Sequence, residues 1–202
     1  ADLKGANLSG VDLSKQRLSG VNLEGHDLTE AKLYRTWLWD ADLTRANLTR
    51  ANLTKAHLKE AELEGANLKE ANLTTTQLTR ANLSGANLEN ANLTRAELIE
   101  ANFRKANLTG ANLTRAALQG ANLEGANLEG ALLKGANLKG AYLLKANLYK
   151  ADLSGANLEY ANLEDANLED ANLYGADLEE ASYNDETKGL TEEQEDVMLY
   201  VP

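Results

Sequence analysis

The sequence predicts an all-β solenoid, and three observations carry that expectation. Leucine stands at every fifth residue from Leu3 to Leu178, broken only by Phe103; alanine stands two residues before it in nearly every unit; and Gly, apart from Gly189, falls only at the fifth place of the unit. Thirty-six pentads fill residues 1–180, with Ala first in 30 of them and Asn or Asp second in 26, giving the consensus Ala-(Asn/Asp)-Leu-x-x. The first-place exceptions are Val11, Gln16, Val21, His26, Thr36 and Thr76. A five-residue step turns an α-helix by about 500°, which scatters the leucines around every side. A flat strand fails as well, because an odd period sends successive leucines to opposite faces. A chain that bends once per pentad keeps them all inside, with Ala beside each corner where nothing larger fits. Gly at the fifth place supplies turn freedom, and Asn or Asp at the second suits turns through its own hydrogen bonding.

With these residues in place, the sequence resembles the pentapeptide-repeat family, and the match runs without interruption through residues 1–180 of 202. The resemblance implies a right-handed quadrilateral β-helix with four pentads per square coil, so that residues 20 apart stack and the repeats make about nine coils. At about 4.8 Å per strand the column would be roughly 43 Å long. Leu-dominated, Asn-rich repeats of this regularity are similar to cyanobacterial members, many of which have no assigned biochemical role.

The domain reading is a β-helix over 1–185 and a capping segment over 186–202 with a short helix. Tyr183 keeps the inward register once more, and Thr191-Glu192-Glu193-Gln194 has the form of a capping box. Leu190, Val197, Met198, Leu199, Tyr200 and Val201 are then expected to lie over the last coil as a lid. At the other end Ala1 is already in register, which leaves an open edge able to pair with a second copy or with preceding residues.

The chain carries a net charge of −11 and no cysteine, so disulfides, thiolate nucleophiles and Cys-based metal sites are excluded. No apolar run approaches the roughly 20 residues that span a bilayer, so no membrane insertion is expected. A soluble, cytoplasmic protein is the expectation, with export or a lumenal compartment left open. No triad, carboxylate pair, P-loop or dinucleotide fingerprint occurs, and the expectation is a chain without enzymatic activity, cofactor or metal. The Asn-Leu-Thr and Asn-Leu-Ser triplets match a glycosylation sequon, yet the repeat generates them automatically.

Departures from consensus cluster between Val11 and Trp39. His26 reads as a tolerated packing variant of an inward Ala, and His57 as an outward residue far along the column. Gln16 and Thr36, one coil apart, are expected to share a buried hydrogen bond. Trp37 and Trp39 flank Leu38 and so point outward together, which makes them the candidate partner patch; Tyr142 and Leu144 form a weaker version. Sorting pentads onto four faces, as the resemblance implies, leaves the face of residues 11–15, 31–35 and their successors at +5, whereas the others carry −3, −4 and −4 and the tail from Ala181 carries −5. Lys15, Arg35, Lys55, Arg95 and Arg115 form an interrupted ladder there, the candidate stripe for an anionic partner. Residues 152–196 hold 15 acidic residues against Lys188 alone.

The expected function is a solenoid scaffold that offers rigid faces to a macromolecular partner, most plainly a protein. Some relatives resemble duplex DNA in shape and charge and act on type II topoisomerases, so a DNA-mimic modulator is one alternative. Polyanion or nucleic-acid binding through the basic face is another. Ice binding by the threonine ladder is disfavoured by its charged neighbours.

Overall fold

A computed structural model of the chain describes residues 6–201. The first pentad, with the open edge expected at Ala1, and the final Pro202 lie outside the described residues. Backbone β-bridges set the architecture. Asp12 pairs in parallel with Lys32, Lys32 with Asn52 and Asn52 with Asn72, and every second-place residue from Asp12 to Asn162 bridges the one 20 positions on. Four pentads therefore complete one coil, and the leucine N–H of each pentad donates to the second-place carbonyl of the coil above, as from Leu98 to Ala117 at 2.7 Å.

The corner between pentads is a β-turn. The N–H of each first-place residue donates back to the preceding leucine carbonyl, as from Ala56 to Leu53 at 2.9 Å. The residue before it, in fifth place, sits in the left-handed region, the pattern of a type II turn. That place is not reserved for Gly: Lys15 (φ 61°), Arg95 (φ 55°), Tyr160 (φ 60°) and the β-branched Thr75 (φ 54°) all adopt it. L-residues there cost about 1–2 kcal/mol each, so the turn is imposed by the ladders on either side rather than by local preference. The second-place Asn closes the corner with its own side chain, as where Ser84 N–H donates to Asn82 Oδ1 at 3.2 Å. On one face, residues 47–167 of this place are all Asn, and their amides also bond rung to rung, as from Asn107 Nδ2 to Asn87 Oδ1 at 3.2 Å.

The leucines fill the shaft with alanines at its corners. From Leu23 to Leu168 every third-place residue is sealed from solvent, Phe103 included. Leu13 and Leu18, near the N-terminal end of the described column, are only partly buried. Thr36 and Thr76 occupy corner places normally held by Ala and are fully buried. Each hydroxyl donates inward to a leucine carbonyl of an earlier coil, Thr36 to Leu13 and Thr76 to Leu53, both at 2.8 Å. The shared bond expected between Gln16 and Thr36 does not form. Gln16 is exposed, because the carbonyl of Leu13 lies within reach of Thr36 and satisfies it without help.

The C-terminal tail extends the column more than it lids it. One residue is inserted, so that Asn167 bridges Lys188 instead of residue 187. Gly189 (φ 83°) passes so close to the backbone of Leu168 that a Cβ would overlap it. β1 (Ser182–Tyr183) pairs in parallel with β2 (Leu199–Tyr200). Between them lies α1 (Glu192–Glu195), opened by the expected capping box between Thr191 and Gln194. Met198 is buried and Leu190 packs on the core, but Val197, Leu199 and Tyr200 stay about half exposed and Val201 36% exposed. The lid expectation fails for these four because Leu199 and Tyr200 pair as a further rung on Ser182–Tyr183 rather than folding across the shaft, and both stay exposed. Tyr200 instead meets Tyr183 edge-on at 5.6 Å and donates its hydroxyl to Asp185 at 2.8 Å.

Candidate functional site

Ten pentads lack Asn or Asp in second place, and six of them, Arg17, Trp37, His57, Gln77, Glu97 and Ala117, bridge one another in an unbroken column on a single face. The Asn side chain that closes corners elsewhere is given up there over six consecutive coils. Trp37 and Trp39, two residues apart on either side of Leu38, turn outward as expected, Trp37 half-buried and Trp39 40% exposed. Their rings meet edge-on at 4.9 Å between centroids. His57, one rung above, stacks on Trp37 at 4.4 Å and 24°, and stands edge-on to Trp39 at 6.2 Å. Its Nδ1 lies 2.6 Å from Gln77 Oε1, a hydrogen-bonded contact to the next rung. Ring pairs of this kind contribute about 0.5–1.5 kcal/mol beyond area burial, so the cluster is pre-ordered. Sequence reasoning missed His57; the repeat itself held the signal, since 57 follows 37 by one coil.

The basic ladder runs along the adjoining face. Its fifth-place residues stack through backbone bonds, from Arg35 N–H to Thr54 carbonyl at 3.1 Å and from Arg95 N–H to Thr114 carbonyl at 3.0 Å. Lys15, Arg35, Lys55, Arg95 and Arg115 are therefore brought into one line, interrupted at Thr75. Every ion pair among the described residues lies on the other three faces, as between Arg50 and Glu70 at 2.9 Å, Arg80 and Glu100 at 2.7 Å, and Lys139 and Glu159 at 2.8 Å. None reaches a ladder cation, although Arg35 lies over the Tyr34 ring at 5.3 Å. The ladder and the aromatic cluster share a corner, where Arg35, Lys55, His57, Thr75 and Gln77 line one shallow recess. Thr75 also opens a second recess running past Arg95 and Arg115 to Lys134. Tyr142, 57% exposed, stands apart on another face.

The outward hydroxyls beside the ladder are already engaged. Thr54, Thr74 and Thr94 each donate to the Asn two residues earlier at 2.6–2.7 Å. They offer acceptors, so an anion beside these three must be met by guanidinium and ammonium groups. Hydroxyls at the corners likewise hold Asp12, Asp27 and Asp152 below the usual carboxylate range, chiefly through Ser14, Thr29 and Ser154. Among the described residues no cluster of three or more His, Asp or Glu could hold a metal ion, and no helix is long and apolar enough to cross a membrane.

The family model for pentapeptide repeats matches in 8 copies over residues 1–35, 38–74, 76–115, 111–148 and 146–182. No curated protein sequence matches the chain significantly. Among solved structures, the chain is similar to HetL, a pentapeptide repeat protein involved in heterocyst differentiation regulation from the cyanobacterium Nostoc sp. strain PCC 7120. That match is 35% identical, covers 88% of this chain and 92% of HetL, and has a TM-score of 0.53. It is also similar to QnrB1, a plasmid-mediated fluoroquinolone resistance protein, at 20% identity over 82% of this chain and 92% of that one, with a TM-score of 0.56. A third match, alr5209 from Nostoc, is 35% identical over 47% of this chain and 84% of that one, with a TM-score of 0.35. With the repeat model spanning nearly all of it and its coils closing every 20 residues, the chain belongs to the pentapeptide-repeat family, whose fold is the right-handed quadrilateral β-helix.

Proposed function

We propose that the chain is a non-enzymatic scaffold that presents rigid faces to a protein partner, with the Trp37, Trp39 and His57 cluster as its principal contact. In this reading residues 1–185 build about nine coils, and residues 186–202 terminate them. The observation that carries the proposal is the replacement of the corner-closing Asn by Trp37 and, one rung on, by the stacked His57, with Trp39 packed edge-on beside them. Exposed, pre-ordered tryptophans are characteristic anchors of protein interfaces. A shaft packed with Leu and Ala has no interior left for a substrate, which supports binding over catalysis. HetL's involvement in a regulatory process fits the same kind of role.

The DNA-mimic alternative draws less support. Its requirement is a run of unopposed negative charge along the column, whereas the carboxylates of Glu60, Glu70, Glu89 and Glu100 alternate with cations of neighbouring coils.

The test is affinity capture from extract of the source organism with the wild type and with Trp37→Ala/Trp39→Ala. Ala is native to the Trp37 column at Ala117, and Trp39 is 40% exposed outside the shaft, so the variant should keep its fold, as circular dichroism would verify. A partner retained by the wild type and lost from the variant supports the proposal. Identical captures, or robust substrate turnover by the chain, overturn it.

A further inference from the structure

The geometry points to the basic ridge as a docking groove for an acidic polypeptide segment, with the tryptophan cluster at one end receiving an apolar residue of that segment. This rests on the scaffold reading and names the chemistry of its partner.

Charge partition is the first support. On the other three faces seven of the cations meet a carboxylate, mostly one coil away, as in Lys69 to Glu89 at 3.0 Å and Arg104 to Glu124 at 3.3 Å, whereas Arg17, Arg45, Lys105 and Lys150 do not. On the fourth, no ladder cation has an ion-pair partner among the described residues, so stacked like charges are left in a line with no carboxylate in contact. Local backbone preference gives no reason for them either. All five sit at left-handed corners, where Gly is the easier residue, and later rungs of the same column are indeed Gly135, Gly155 and Gly175. The fifth-place cations thus run from Lys15 to Arg115, past the tryptophan coil, and give way to Gly from Gly135 onward.

Shape is the second support. The two recesses share Thr75 in their linings, and between them they border Arg35, Lys55, Arg95 and Arg115. Four rungs span about 19 Å, the length of about six residues of extended chain. The flanking faces are net negative at −4 each, which confines a bound polyanion to a narrow strip.

A polypeptide suits this strip better than a nucleic acid. Single-stranded nucleic acid is held by aromatic faces distributed along a basic groove. Here the Trp37 ring is occupied by His57, and no aromatic residue lines the recess between Thr75 and Lys134. An aromatic cluster at one end only matches a segment with one apolar anchor followed by carboxylates.

Trp37 and Trp39 are the chain's only two tryptophans, so its intrinsic fluorescence reports from this corner. The probe is a nonapeptide of one leucine followed by eight glutamates, titrated at about 50 and 200 mM salt, with oligothymidylate of equal charge in parallel. The expected result is saturable peptide binding that weakens about tenfold at the higher salt and about tenfold again in Arg95→Gly/Arg115→Gly. That variant installs the residue native to later rungs, and an undiminished melting temperature shows that its fold is intact. No saturable peptide binding at low salt, equal binding by the variant, or tighter binding of oligothymidylate than of the peptide overturns the inference. If the peptide fails while Trp37→Ala/Trp39→Ala still loses a captured partner, the scaffold reading stands and only the acidic-segment inference falls.

Discussion

Leu98→Ala should be among the most damaging substitutions in the chain, and its cost can be worked from the shaft that surrounds it. Leu98 is fully sealed, and its coil is tied to both neighbours by backbone bonds, from Leu98 N–H to Ala117 carbonyl at 2.7 Å and from Leu78 N–H to Glu97 carbonyl at 2.7 Å. Removing three carbons forfeits about 2.4 kcal/mol of transfer free energy at about 0.8 kcal/mol per group. The walls are alanine corners and hydrogen-bonded rungs that cannot move in to fill the space, so the cavity contribution should place the total near the upper end of the usual range, about 4–5 kcal/mol. Leu13→Ala provides the contrast, since Leu13 is only partly buried and its side of the column is free to relax. About half that cost is expected there. Equilibrium urea unfolding followed by circular dichroism reads both, fitted with nearest-neighbour coupling between coils because a solenoid need not unfold in one step. A loss below about 1 kcal/mol at Leu98, or equal losses at the two sites, would refute the reasoning that a rigid closed shaft sets the cost.

Three further outcomes follow from the corners and the tail. Gly189→Ala forces a Cβ onto the backbone of Leu168 at a left-handed position, costing more than about 1–2 kcal/mol locally, and should release the tail. Hydrogen exchange should then show lost protection at the amides of Leu199 and Val201, which donate to Ala181 and Tyr183, while the central coils stay protected. Thr75→Gly relieves a β-branched residue at φ 54° and should raise the melting temperature by about 2–4 °C, the shift expected for about 1 kcal/mol in a chain of this size; a lower melting temperature would contradict the strain argument. Asp27, held below its ordinary value of 3.8 chiefly by the Thr29 hydroxyl, is stabilising above that value and loses its contribution as pH falls through the lower folded value. The urea midpoint of the wild type should therefore drop more steeply in acid than that of Asp27→Asn, and parallel curves would remove the effect.

Much of this architecture was legible from the period alone. A leucine every five residues excludes both helix and flat strand, and Ala before it implies a tight corner, which is where Ala31 to Ala166 are sealed. Asn was expected at the turns, and its side chain does close them. The left-handed conformation of Arg95 or Tyr160 was not legible, because local preference argues against it and only the ladders above and below enforce it. The Thr36 bond was misassigned to Gln16 because a side-chain partner one coil away was the obvious choice, whereas a backbone carbonyl inside the shaft was nearer. Half of the candidate site was visible as Trp37 and Trp39. Its other half, His57, was read linearly along the chain instead of one rung up, and the tail's exposed Val197, Leu199 and Tyr200 were read as a lid because apolar composition carries no direction.

The central claim is that the chain turns a corner every five residues and closes a coil every 20. Spin labels on one outward column test it most directly, with Glu24 paired in turn with Arg104 and with Glu164, which lie 80 and 140 residues away. Electron–electron distance measurements should give backbone separations of about 19 Å for four rungs and about 34 Å for seven, a rise of about 4.8 Å for each added coil. Distances that do not grow in proportion to the number of 20-residue steps, or that grow by a different increment, would contradict it.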